Sequence, residues 1–401
     1  MSNLLERFCR YVKVETTADE NSTTYPSTPG QRELGALLAA ELKEMGLEAH
    51  QDEHAVVIAT LPGNVEGAPT IAWLAHVDTS PEAPGKGVNP QVVEYKGGDL
   101  TLKSGLVIPG EDLDGYAGKI LVTTDGTTLL GADDKSGVAV IMTAVERLLA
   151  DPDRPRCPVR VIFTCDEEIG RGTDKLDIEA INAVCAYTLD GESEGLIENE
   201  TFSADVAVVK VKGRNIHPGL AYGKMVNAIR GAAKFLEQLP PQLSPECTKD
   251  KEAFLHPYVL EGGVAEVGLR ILLRSFHTPE LKELADVLKA AAETTMKEMV
   301  GVTVEVDIQE QYRNMAEYLA KEPRAVALAE KAYQKVGMEP VFKSIRGGTD
   351  GSRLSELGLP TPNLSTGMHN FHCEAEFACL DEMETAVSVL LELATLWSAE
   401  R

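Results

Sequence analysis

The hydrophobic positions change their spacing along the chain, and each change predicts an element. From Gln31 to Met45, Leu34, Leu37, Leu38, Leu42 and Met45 recur on one stripe, with Gly46 beyond the last. That spacing predicts a helix with a glycine stop. "AVVIATLPG" and "TIAWLAHVDTS" follow as apolar runs and predict strands. "KILVTTDGTTLLGADDKSGVAVIMTAVERLLA" passes from strand through turn to helix, and "VRVIFT" and "AVCAYTLDG" are two more buried strands. Strands alternating with helices predict an α/β layer on a largely parallel sheet.

The middle of the chain has a different rhythm. "ADVAVVKVKG" alternates with period two, and "MVNAIRGAAKFLEQL" has helical spacing at Val226, Ile229, Ala233 and Leu236. "GGVAEVGLRILLRSF" predicts a strand, "PELKELADVLKAAAETTMKEMV" a helix and "VTVEVDIQEQY" a strand. With "AFLHPYVLEG" as one more strand, the order is β-α-β-β-α-β, the split βαβ or ferredoxin-like unit. After about Met315 the α/β pattern returns. The expectation is a small α+β domain at 202–313, inserted into an α/β domain made of 1–201 and 314–401.

A length of 401 residues agrees with two domains rather than one core. The net charge of -25 disfavours nucleic acid or an anionic membrane as partner. The seven cysteines are an odd number and form no C-x-x-C pair, so neither a disulfide framework nor a thiolate zinc site is indicated. "MSNLLERFCRYVKV" has an amphipathic helix pattern rather than that of a signal peptide. No apolar run approaches the roughly 20 residues a membrane span needs. These points predict a protein of the reduced cytoplasm.

One strand ends in three consecutive acids, Asp166, Glu167 and Glu168. Carboxylates so close repel one another unless a cation or shared protons intervene. "AHVDT" sets His76 and Asp78 at another strand end, two residues apart and so on one side. A histidine that binds metal usually gives its other ring N–H to a carboxylate, which is the part Asp78 would play; an ordinary hydrogen-bonded pair is the plainer reading. "LLGADDKSG" places Asp133 and Asp134 before a helix, where a helix cap is the plainer reading. Asp190 follows a strand and precedes a glycine, as turn residues often do. His372 has Glu376 four residues on. Each signal alone is ambiguous. Together, His76, Asp133, Glu168 and Asp190 all follow apolar strands, and ligands of parallel sheets collect outside the carboxyl ends of the strands.

The motifs "AHVDTSPEAPGKGVNPQ", "TTDGTTLLGADDKSG", "FTCDEEIGRG", "NIHPG", "IRGGTDGSRLSELGLPTPNLSTG" and the H-x-x-x-E at His372 occur in that order over nearly the whole chain. In them the sequence resembles the M20 metallopeptidases, and among these the tripeptide aminopeptidases. The resemblance implies a zinc-peptidase catalytic domain of α/β type with a mostly parallel sheet, and the inserted ferredoxin-like domain as a lid and dimerisation domain. It implies two zinc ions, with Co²⁺ or Mn²⁺ as substitutes. His76 and Asp190 would bind one, Glu168 and His372 the other, and Asp133 both, with the Asp133–Asp134 peptide cis. Asp78 would orient His76, and Glu167 would be the general base toward a hydroxide shared by the ions. The charges then balance: three carboxylates and one hydroxide against two divalent ions.

His217, in "NIHPG", would stabilise the oxyanion, and Arg274 would grip the peptide's terminal carboxylate with its bidentate fork. Gly347 and Gly348 would bring backbone close to the substrate, and Asn227 matches a family position whose role stays open. Short peptides, chiefly tripeptides, are the implied substrates, and a homodimer is in keeping with relatives that pair. Two alternatives stand beside this: another M20 activity, on dipeptides or N-acyl amino acids, and an inactive homologue that only binds. The second conflicts with the presence of all five ligands and Glu167.

Overall fold

A computed structural model describes residues 3–401. The chain divides into two compact units. One comprises the chain up to Asn199, Met315–Ser344 and Thr349–Arg401; the other comprises Glu200–Asn314 and Ile345–Gly348.

The first unit is built on an eleven-stranded sheet. Its four central strands, Val159–Thr164, Ile71–His76, Ala186–Glu192 and Asn363–His369, are neighbours in that order and run parallel. Antiparallel strands flank them, among them Val57–Leu61 on one side and Phe377–Cys379 on the other. The apolar run of Ile71–His76 follows from burial on both faces, since every one of its residues is buried. Ile71, Trp73 and Ala75 join the main core with Val138, Val140 and Ile141 of the Ala132–Ala150 helix. Ala72 and Leu74 point the other way, into a smaller core with Ile162, Leu354 and Leu359. Alternate side chains of a strand must face opposite layers, so the sheet is covered on both sides.

The helix approaches the sheet closely at Gly137. A Cβ added there would stand 1.9 Å from the Leu189 carbonyl oxygen. This glycine lets the Ala132–Ala150 helix lie against the strand that carries Asp190. The expected reach of "TIAWLAHVDTS" as one strand is too long: pairing ends at His76, and Val77 onward leaves the sheet. His76 therefore stands at the strand's carboxyl end, as does the Cys165–Glu168 turn after Val159–Thr164.

The second unit holds four antiparallel strands in the order Phe254–Gly262, Glu266–Ser275, Ser203–Lys212, Thr303–Tyr312. The helices Ala228–Glu237 and Glu280–Glu298 supply Phe235, Leu281, Leu284 and Leu288 to a core with Val209, Val211, Leu269 and Ile271. The chain order β-α-β-β-α-β is that of the split βαβ unit, and "AFLHPYVLEG" takes part as a strand. Among the described residues no helix is long and apolar enough to cross a membrane.

Gly137→Ala forces the helix off the sheet beside Asp190. Overpacking of this kind costs about 1–3 kcal/mol. We expect a lowered melting temperature in calorimetry; an unchanged one contradicts the close approach.

Candidate metal centre

The carboxyl ends of the central strands bring five side chains of the first unit together. His76 Nε2 lies 3.0 Å from Asp133 Oδ1 and 3.5 Å from Asp190 Oδ1. His372 Nε2 lies 3.3 Å from Asp133 Oδ2 and 3.0 Å from Glu168 Oε2. The two oxygens of Asp133 thus face two different histidines. His76, Asp133 and Asp190 form one group, and Asp133, Glu168 and His372 another, with ligating atoms within 4.8 Å of one another in each.

Local bonding fixes each of these side chains. The Asp133–Asp134 peptide is cis, and both residues depart from helical backbone at the start of the Ala132–Ala150 helix. The two acids divide the roles that the sequence left open. Asp134 caps: its Oδ1 accepts from Gly137 N at 3.1 Å and its Oδ2 from His76 N at 3.2 Å. Asp133 is left to the histidines. Its backbone N donates to Glu376 Oε1 at 3.1 Å, while Glu376 Oε2 accepts from Leu130 N and Gly131 N at 2.6 and 2.8 Å.

The three consecutive acids separate in the same way. Asp166 has a positive φ of 62° and is buried. Its carboxylate accepts from Ser27 N, Ser27 Oγ and Gln31 Nε2, which makes it a tie between this turn and the Pro29–Glu44 helix. Glu167 and Glu168 follow in a single 3-10 turn. Asp78 holds both: its Oδ1 accepts from Glu167 N and its Oδ2 from Glu168 N, each at 3.1 Å. Asp78 Oδ1 is also 3.4 Å from His76 Nδ1, whose nearest acceptor is the Asp78 carbonyl at 3.2 Å. Glu167 Oε2 lies 4.0 Å from His76 Nε2 and belongs to neither ligating group.

Without a cation the carboxylates carry a heavy electrostatic load. Burial, and then the charge on Asp133, pushes both Glu168 and Asp190 up to about 7. Burial likewise raises Glu167 well above its usual range. Asp133 goes the other way: burial opposes its charge, but hydrogen bonds with His372 and His76 hold it well below the ordinary carboxylate value. Its bonds with Asp133 and Glu168 raise His372 to about 11. Burial works against charge on His76, yet its bonds to Asp133, Asp190 and Asp78 raise it. Glu168 Oε1 is buried with no hydrogen-bond partner. Unsatisfied buried charge of this kind is costly and is relieved by a cation. Two nitrogen and three carboxylate donors, one of them shared, suit a pair of divalent ions.

The other five expected residues lie in the second unit. His217 is exposed, and its Nδ1 accepts from Gly219 N. Asn227 caps the Ala228–Glu237 helix, its Oδ1 accepting from Ile229 N at 2.9 Å. Arg274 is buried; its Nη1 donates to the Asp205 and Leu273 carbonyls, and its guanidinium lies over Tyr312. Gly348 abuts the Tyr312 ring, and Gly347 precedes it.

Reading the sequence missed three neighbours of the centre. Glu376 shows in the sequence only as part of a spacing, which does not reveal its bonds to the Leu130–Asp133 turn. Asp350, in "GGTDG", is buried, accepts from Thr164 Oγ1 and lies against Gly172 on the loop that carries Glu167. Asn363 joins Asp190 to a further acid: its Oδ1 accepts from Asp190 N, and its Nδ2 donates to buried Glu198. Asn363 opens the strand Asn363–His369 in the polar run "TPNLST", which carries no signal that marks it.

Known proteins match this chain over most of its length. The model of peptidase family M20/M25/M40 covers residues 111–396. Peptidase T of Bacillus licheniformis is 46% identical over 404 residues, 99% of this chain and 98% of that protein. Peptidase T of Bacillus subtilis is 44% identical over 405 residues, 99% of each. Among solved structures, the aminopeptidase PepT of Bacillus cereus superposes with a TM-score of 0.78 at 27% identity, over 99% of this chain and 98% of that one. A dinuclear metal-binding peptidase of Bacillus subtilis shares the fold, with a TM-score of 0.66 at 17% identity, over 98% of this chain and 97% of that one.

The raised carboxylates give the metal-free protein a definite pH dependence. Glu168 and Asp190 stand at about 7 in the fold, above their ordinary 4.5 and 3.8. The folded form therefore binds protons more tightly than the unfolded one. That contribution is complete below the ordinary values and is lost as pH rises through about 7. Asp133 is held below this window, and His372, raised from 6.5 to about 11, acts in the same direction once pH exceeds its ordinary value, so neither cancels the effect. Metal-free protein should melt at steadily lower temperature from about pH 5 to about pH 7.5, and saturating divalent metal should flatten that slope. A metal-free profile that rises over this range contradicts the crowding.

Proposed function

The chain belongs to peptidase family M20/M25/M40 and is a metallopeptidase, and we propose that it releases the N-terminal residue of short peptides, tripeptides above all, with two zinc ions. The observation that carries this reading is the Asp133 carboxylate, which offers one oxygen to the side of each histidine while Glu167 stays outside both groups. His76 and Asp190 would hold one ion, Glu168 and His372 the other, and Asp133 both. When bound, the ions supply Lewis acidity, lowering the pKa of a water between them and polarising the peptide carbonyl.

The chain's own residues do the rest. Glu167 takes the proton of the attacking water and returns it to the leaving amine, one group serving as base and then as acid. Burial, with the carboxylates of Asp190 and Asp350 nearby, raises its proton affinity, which suits both halves of that task. Asp78 fixes where Glu167 points through the Glu167 backbone N–H. In the second unit, Arg274 presents a guanidinium fixed by two carbonyls and by Tyr312 and would grip the peptide's carboxylate. His217 would support the oxyanion, and Gly347 and Gly348 would meet the peptide backbone. Asn227 would act through the helix that it caps.

Glu167→Ala should lower kcat by about 10²–10⁴-fold while the protein still binds two metal ions. Unchanged turnover removes this mechanism. The substrate class is tested separately, with rates on tripeptides, dipeptides and N-acetylated amino acids. Fast release from tri-alanine and none from a blocked N-terminus is expected; the reverse order assigns the chain to deacylation instead.

A further inference from the structure

His372 is held from two sides. Its Nε2 faces Asp133 and Glu168, and its Nδ1 lies 3.2 Å from Glu82 Oε2. An imidazole that offers Nε2 to a cation carries its proton on Nδ1, and that proton needs an acceptor. His76 finds one in Asp78. On His372 the corresponding place is taken by Glu82, a residue 290 positions away in the chain.

The loop that presents Glu82 is pinned. Pro81 and Pro84 restrict the backbone on either side of it. Upstream, Thr79 N donates to Thr16 O, and Ala18 N donates to Thr79 O. Downstream, Leu129 N donates to Pro84 O at 2.9 Å, and Gly85 packs so closely that a Cβ would stand 2.3 Å from Thr17 Oγ1. The backbone that carries the carboxylate is thus ordered beforehand, and only side-chain freedom is lost when it meets the imidazole.

We propose that Glu82 is a positioning residue for His372: it accepts the Nδ1 proton, fixes the tautomer and ring plane, and so strengthens cation binding at the Glu168–His372 group. This rests on the two-cation reading of the centre. The Glu82 side chain is 70% exposed, against 0% for Asp78. Water competes for it, so its effect belongs at the low end of the 10–100-fold typical of such partners.

The test is a titration of metal-free protein with Zn²⁺ against a chromophoric chelator. Wild type takes up two ions, and the step missing in His372→Ala identifies the ion concerned. In Glu82→Ala that step should weaken about tenfold. Glu82→Gln keeps an acceptor oxygen at the same reach and should recover most of the loss. The metal-free melting temperature should be the same in all three. Unchanged affinity in Glu82→Ala, or a Gln variant as weak as Ala, overturns the proposal. So does a raised KM at saturating zinc with unchanged affinity, which would mark Glu82 as a substrate contact. Wild type that takes up fewer than two ions overturns the two-cation reading itself, before any variant is compared.

Discussion

Like charges at close range set the terms for this structure. Asp133, Glu168 and Asp190 converge with two imidazoles at the ends of parallel strands, in surroundings too dry to screen them. Left alone, such carboxylates take up protons or move apart. The fold prevents the second outcome by bonding the backbone around each one. Glu376 grips the Leu130–Asp133 turn, Asp78 grips the Glu167–Glu168 turn, and Asn363 grips Asp190. Each of these is a polar group spent on rigidity around the site rather than on contact with a substrate. What remains for the ligating side chains is to bind protons or cations.

The same constraint explains why neighbouring acids have unlike roles. In "ADDK", Asp134 satisfies helix and strand N–H groups, so Asp133 is available to both histidines. In "CDEE", Asp166 is consumed by Ser27 and Gln31, which leaves Glu168 beside His372 and Glu167 near His76. Adjacent side chains point in different directions, and a non-helical backbone at each turn widens that difference. A stretch that looks redundant in the sequence is thus a set of separate tasks.

Much of this was legible before the structure. Hydrophobic period located the central strands and the β-α-β-β-α-β segment, because burial on one or two faces leaves its mark on every residue of an element. Strand ends located His76, Asp133 and Glu168; Asp190, expected after its strand, lies within Ala186–Glu192, near its carboxyl end. The long-range partners were not legible. Glu376 and the turn it holds are some 245 residues apart, and Glu82 and His372 are 290 apart. No local spacing records such bonds. The end of the strand at His76 is not legible either, because Val77 is buried in the main core like the strand residues before it.

The central claim is that one carboxylate, Asp133, serves both cation positions, and metal content tests it most directly. Purified Asp133→Ala, Asp190→Ala and wild-type protein, each loaded with zinc and freed of excess, should be assayed for ions per chain. A shared ligand predicts that Asp190→Ala retains one ion firmly while Asp133→Ala retains neither. If Asp133→Ala holds as much zinc as Asp190→Ala, the two sites are independent and the account is wrong.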